Sequence, residues 1–243
     1  MSAPVLEIRD LAFAWPAEAG GFRLEIPGLT VAPGTCLALA GESGSGKSTA
    51  LDILGLVRAP DRVGAFRLAR RGGRVEDVAA LIAGGPDATA GLRREAIGYV
   101  LQQGGLLPFL TVAENIALTR PEGRPAPFAV EELAARLGLA EVLRRGPERI
   151  SIGQRQRAAI ARAVMGDPEL ILADEPTAAL DPPTARAVLG LLVELARERG
   201  TAVVMASHSW SLVREFSLPV LRAEVMPGPR GSTARFLPAE VPA

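Results

Sequence analysis

One short stretch limits this chain more than any other. Gly41-Glu42-Ser43-Gly44-Ser45-Gly46-Lys47-Ser48-Thr49 fits the pattern G-x-x-x-x-G-K-[ST]. Its glycines permit a loop whose backbone N–H groups wrap phosphate oxygens. A helix beginning near Lys47 turns its positive dipole end toward the same anion. Lys47 is placed to reach β- and γ-phosphates, and the Ser48 hydroxyl to bind Mg²⁺. The plain alternative is a Gly/Ser-rich turn that matches by chance. The flanks oppose it, because Thr35–Ala40 reads as an apolar strand running into Gly41 and Lys47–Leu56 reads as a helix.

Composition is ordinary for a globular chain with a sizeable core and serves mainly to exclude other classes. At ~100–200 residues per domain, 243 residues make one large domain or two tightly joined lobes. There are 27 basic and 27 acidic side chains, so the basic excess of a general nucleic-acid binder is missing. Lys47 is the only lysine in a chain that otherwise writes Arg, which singles out its ammonium. One cysteine, Cys36, excludes a disulfide framework and a cysteine-built zinc site. No apolar run nears the ~18 residues that span a bilayer. The longest candidate, Ala187–Ala196, is interrupted by Glu194, and Met1–Asp10 lacks the basic-then-apolar order of a secretory signal. A soluble protein of the cell interior is expected.

Val5–Phe13, Arg23–Ile26 and Ala96–Leu101 read as strands. Thr111–Met165 reads as mainly helical, with a Pro-rich linker at Pro121–Pro127. Leu170–Ala173 and Thr201–Ala206 are short apolar runs suited to strands buried on both faces of a parallel sheet. Between them, Pro182–Arg199 reads as a helix opened by Pro and closed by Gly200, completing a βαβ unit. The tail, Pro219–Ala243, is expected to add edge strands. The pattern predicts an α/β core interrupted by a helical insertion.

Leu170-Ile171-Leu172-Ala173-Asp174-Glu175-Pro176 ends an apolar strand in two acids. Alone that is a weak signal, since most such acids are solvated strand ends. Beside a phosphate loop, Asp174 suits the Mg²⁺ shell. Glu175, one residue on, suits the attacking water as base or orienter.

Together these segments resemble the ATP-binding subunit of ABC transporters along nearly the whole chain. The family's signature, usually Leu-Ser-Gly-Gly-Gln, lies just before the acidic strand. Here it is Ile150-Ser151-Ile152-Gly153-Gln154, followed by Arg155-Gln156-Arg157-Ala158-Ala159-Ile160-Ala161-Arg162-Ala163. The resemblance makes Gln102 the glutamine-loop contact to Mg²⁺ or water, because Leu106-Leu107-Pro108 follows at the expected offset; adjacent Gln103 is its rival. It makes Asp181, within Ala179-Leu180-Asp181, part of a loop that crosses between subunits. It makes His208, the only histidine, the switch residue that bonds the γ-phosphate, and Trp15 the ring that stacks on adenine. Three departures stand out: Ile152 replaces the first signature glycine, Ser209 replaces an Asp, and Trp15 replaces the commoner Tyr. Because Ser151 and Gly153 remain, function is expected to survive.

The resemblance also implies a fold and partners. The fold is a P-loop NTPase core of mostly parallel sheet with an N-terminal antiparallel β lobe and an inserted α-helical subdomain. As one domain over 1–243, the core covers about 1–101 and 166–243 and the insertion about 102–165. The implied activity is hydrolysis of ATP, with Mg²⁺, to ADP and phosphate. A second copy, or a homologous subunit, pairs head to tail, so that Ser151, Gly153 and Gln154 serve the partner's ATP. Integral membrane permease subunits dock on Gln102–Asn115, and the subunit sits peripherally on the cytoplasmic face of a bacterial inner membrane. No nucleic acid is implied. Arg145–Gln154 and Leu106–Asn115 look most like the lipoprotein-release and macrolide-export branch.

Plainer readings stand beside these. Ser151-x-x-Gln154 is also a capping box, worth ~1 kcal/mol at a helix start. Gly153 costs that helix ~1 kcal/mol yet opens its first turn to an anion. His208 could be a surface histidine, Trp15 a cover for a sheet edge, and Gln102 a polar strand end. Asp181 could cap the helix opened by Pro182 and Pro183, a role compatible with the other. Leu106, Leu107, Phe109 and Leu110 could pack inward or form a groove for a partner helix. For the whole chain, a non-transport ABC-type ATPase of DNA repair or translation would carry a coiled coil or a second cassette, and neither is visible. A nucleotide sensor without turnover is opposed by intact Lys47, Asp174 and Glu175.

Overall fold

The computed structural model describes residues 3–16, 21–102, 104–123, 125–178, 180–228 and 231–240. Its ten strands form one mixed sheet. In chain order they are β1 (Leu6–Trp15), β2 (Phe22–Val31), β3 (Cys36–Ala40), β4 (Ala65–Ala69), β5 (Val75–Asp77), β6 (Ile97–Val100), β7 (Leu170–Asp174), β8 (Ala202–Ala206), β9 (Val220–Gly228) and β10 (Gly231–Ala239). Across the sheet the order is β5-β4-β1-β2-β10-β9-β3-β8-β7-β6. The β5-β4-β1-β2 end is antiparallel, and β9, β3, β8, β7 and β6 run parallel.

Strict alternation in the parallel strands divides the core into two layers. Ala38, Ile171, Ala173, Val203 and Met205 belong to one layer; Leu37, Leu39, Leu170, Leu172 and Val204 belong to the other. A period of two sends successive side chains to opposite faces, so these strands must be apolar throughout. The first layer is covered by α4 (Val112–Ala117), α5 (Val130–Arg136), α6 (Ile152–Met165), α7 (Pro182–Arg199) and α8 (Trp210–Glu215). The second is covered by α1 (Lys47–Leu54), whose Ala50, Leu51, Ile53 and Leu54 sit under the curled antiparallel lobe.

α7 runs between its expected limits. The Asp181 carboxylate accepts from Thr184 N at 3.1 Å, Pro occupies the first turn, and Gly200 closes the helix at φ 65°. The tail departs from expectation. β9 pairs with β3, and β10 lies between β9 and β2, so these strands join the two lobes from inside the sheet and form no edge. The edges are β5 and β6. Residues 57–96, for which the sequence offered no elements before Ala96, hold β4, β5, α2 (Val78–Ala83) and α3 (Pro86–Ala96). Among the described residues no helix is long and apolar enough to cross a membrane.

Candidate functional site

The site lies where β3 ends. From Ala40 the chain enters Gly41–Gly46 and turns directly into α1 at Lys47. Gly46 has φ 89°, and a Cβ there would lie 2.6 Å from Phe22 Cζ. Handedness and the close aromatic wall both require glycine. Lys47 Nζ donates to Gly41 O at 2.9 Å and Glu42 O at 2.8 Å. Burial lowers the Lys47 ammonium's pKa, while the Glu175 and Asp174 carboxylates oppose that shift. Ser45 Oγ is buried with no hydrogen-bond partner, which an anion's oxygen would satisfy. The loop therefore fits a phosphate chain.

β7 carries the acids to the same place, because β7, β8 and β3 are parallel neighbours. The Asp174 carboxyl is raised above its ordinary value by burial first, against the Ser48 hydroxyl that donates to it. Ser48 and Asp174 thus form a pair of hard oxygen donors suited to Mg²⁺. Among the described residues no cluster of three His, Cys, Asp or Glu could hold a metal alone. A magnesium ion here would need phosphate oxygens to complete its shell.

Glu175 adopts φ 48°, a left-handed conformation rare for a residue with a Cβ, which turns its side chain out of the strand path. Both carboxylate oxygens are engaged. Gln102 Nε2 donates to Oε2 at 3.1 Å, and His208 Nε2 lies 2.6 Å from Oε1. Gln102 follows β6 and His208 follows β8, so the strands on either side of β7 supply one brace each. These three residues, with Trp15, Phe22 and Ser43, Gly44, Gly46, Lys47, Ser48 and Thr49, line one open pocket of about 400 Å³.

Ser151, Gly153 and Gln154 are absent from that lining. They start α6, where Ser151 Oγ accepts from Gln154 N at 3.1 Å and Gln154 Oε1 accepts from Ser151 N at 2.9 Å. The capping box is real, and Ile152 beside it is 56% exposed. A Cβ on Gly153 would come within 3.2 Å of Leu180 Cδ2, so the helix start adjoins the segment that leads to Asp181. Gln103 and Ala179 lie outside the described residues.

The apolar loop divides between its two readings. Phe109 is 79% exposed, whereas Leu106 packs against the core and Leu107 and Leu110 are half-buried. Asn115 corrects the expected docking region, because it is wholly buried. Its Nδ2 donates to the Leu107, Leu110 and Thr111 carbonyls and its Oδ1 accepts from Leu107 N, so it shapes the loop from within. Two residues, one in the pocket wall and one behind it, carry no sequence signal. Phe22 lines the pocket from β2, and the Arg58 guanidinium lies over the Trp15 ring, 4.2 Å from its centroid. Cys36, by contrast, is inert: burial pushes its thiol up to about 12.

Residues 24–178 match the profile described as "ABC transporter". A lipoprotein-releasing system ATP-binding protein, LolD 2, of Caulobacter vibrioides is 39% identical over 219 residues, covering 88% of this chain and 92% of that one. A macrolide export ATP-binding/permease protein, MacB, of Shigella flexneri is 38% identical over 212 residues, but the match covers only 31% of its length. Among solved structures, the dimeric ATP-binding cassette MJ0796 in a post-hydrolysis state with ADP and Pi is similar at TM-score 0.73 and 30% identity, covering 89% of this chain and 93% of that one.

Proposed function

The chain belongs to the ABC transporter family, and from that premise we propose that it is the ATP-hydrolysing subunit that powers a separate membrane permease of the lipoprotein-release and macrolide-export branch. The carrying observation is the Glu175 carboxylate held between Gln102 and His208 at the mouth of the phosphate loop. Residues 1–243 form one ATPase domain with a core at about 1–101 and 166–243 and a helical insertion at about 102–165. The mutual packing of α4, α5 and α6 supports that division.

ATP lays its triphosphate along the loop's N–H groups, and Lys47 exchanges the Gly41 and Glu42 carbonyls for β- and γ-oxygens. Trp15 receives the adenine. Ser48 and Asp174, with Gln102, would hold Mg²⁺, which supplies charge neutralisation on the phosphates. Glu175 accepts a proton from a water in line with the γ-phosphorus. The water oxygen bonds to phosphorus, the bond to the β–γ bridging oxygen breaks, and ADP and phosphate remain. His208 bonds the γ-phosphate and keeps that water in place.

The second half of the site comes from another copy or a homologous subunit, whose Ser151, Gly153 and Gln154 face the γ-phosphate across the interface, with Asp181 crossing beside them. ATP binding closes the pair and hydrolysis opens it. Phe109, an exposed aromatic side chain within Gln102–Asn115, touches the permease. The subunit sits peripherally on the cytoplasmic face of a bacterial inner membrane. Lys47→Ala tests the phosphate role. Phosphate release should fall on the order of 10³-fold with an unchanged circular dichroism spectrum, and wild-type turnover by the folded variant would refute it.

A further inference from the structure

Resting on the adenine reading of Trp15, we propose that Arg58 is a positioning residue for the nucleotide's purine. Its guanidinium backs one face of the indole and leaves the other to the base.

Three observations carry this. Arg58 Cζ stands 4.2 Å from the Trp15 ring centroid and 5.2 Å from that of Phe13, and the two rings meet edge to face at 5.4 Å. The guanidinium has no carboxylate partner among the described residues, and its buried Nε has no hydrogen-bond partner. The ring quadrupoles are what the charge meets. Trp15 lines the phosphate-loop pocket and Arg58 is not among its lining residues.

The backbone fixes this arrangement. After α1, Leu56 turns at φ 57° and both Val57 N and Arg58 N donate to Asp52 O, at 2.9 and 3.2 Å. Beyond Arg58, Asp61 N donates to Ala12 O at 2.9 Å and Ala14 N donates to the Asp61 carboxylate at 2.7 Å. The segment is thereby tied to β1 on both sides of Phe13. An unsupported indole would lose rotamer freedom when a purine settled on it, and that ordering weakens binding. Backed by Arg58 and edged by Phe13, the ring is ordered before the nucleotide arrives.

The experiment uses the full chain carrying Trp210→Phe, which leaves Trp15 as the only tryptophan. Its fluorescence is titrated with ATP, and competition with a labelled nucleotide reports tripolyphosphate, which has no base. Arg58→Ala should raise the Kd for ATP about fivefold, leave kcat within about twofold, leave tripolyphosphate affinity unchanged and expose Trp15 to acrylamide. Arg58→Lys should recover part of the affinity. In the competition assay, Trp15→Ala should weaken ATP similarly, and the double variant should be no weaker than Trp15→Ala alone. Loss of ATP affinity in Trp15→Ala but not in Arg58→Ala overturns this inference and leaves the site reading intact. Normal ATP affinity in Trp15→Ala overturns both. An equal loss for tripolyphosphate would mean Arg58 only supports the fold, and tighter ATP binding in Arg58→Ala would mean the guanidinium occupies the purine's seat. Either result overturns the proposal.

Discussion

Around Lys47 one chain gathers a pocket from several strands, and at Ser151 it offers only a capped helix start. The phosphate loop leads from buried β3 into α1, its ammonium is bonded to two carbonyls, and the Glu175 carboxylate beside it is held by two side chains. The start of α6 faces outward, satisfied only by its own capping box and flanked by an exposed isoleucine. One half of the apparatus is organised within a single chain. The other is a helix N-terminus which, on the function proposed above, meets an anion only when a second chain arrives.

Placing a large cation on the outward half separates the two most sharply. Ser151→Arg should reduce turnover on the order of 100-fold, while ATP affinity of the monomer, read by equilibrium binding, stays within about twofold because the phosphate loop is untouched. Equal loss of binding and turnover would mean that the two regions are not separable.

On stability, a smaller effect is expected from the inner half. Asp174 has its pKa raised by burial, so its ionised form opposes folding above that pKa, and the penalty vanishes as pH falls below the ordinary carboxylate value. Asp174→Asn should therefore raise the melting temperature of the nucleotide-free protein by about 2 °C at pH 7, with the gain shrinking toward pH 4, and should abolish turnover. A melting temperature that falls at pH 7 would show that the Ser48 bond and the Lys47 charge outweigh burial.

The mildest change probes the signature's departure. Ile152 is exposed and contributes no side chain to the capping box, so Ile152→Gly should alter turnover by less than about threefold, the scale of ~0.6 kcal/mol. A large gain would mean that the natural helix start is crippled.

These contrasts also show what a sequence can disclose. The phosphate loop, β7, β8 and α7 were legible because their signals are local: glycine spacing, apolar runs, and a helix with a proline start and a glycine stop. The sheet position of β9 and β10 was not, because it depends on pairing with β3 and β2 across most of the chain. The clasp on Glu175 was legible only as three separate residues. Its closure comes from parallel register, which brings the ends of β6, β7 and β8 to one point. Asn115 and Arg58 carried no motif, and their roles arise from the carbonyls and rings the fold delivers to them.

The claim that joins both halves is that ATP is held between two copies and released by Glu175. Glu175→Gln keeps the side chain's shape, removes its charge beside the phosphates and deprives the water of its base. Size-exclusion chromatography with light scattering gives the direct test. The account predicts a dimer for this variant in ATP and a monomer in ADP, with hydrolysis reduced by on the order of 10²–10⁴. A variant that stays monomeric in saturating ATP, or hydrolyses at the wild-type rate, would contradict it.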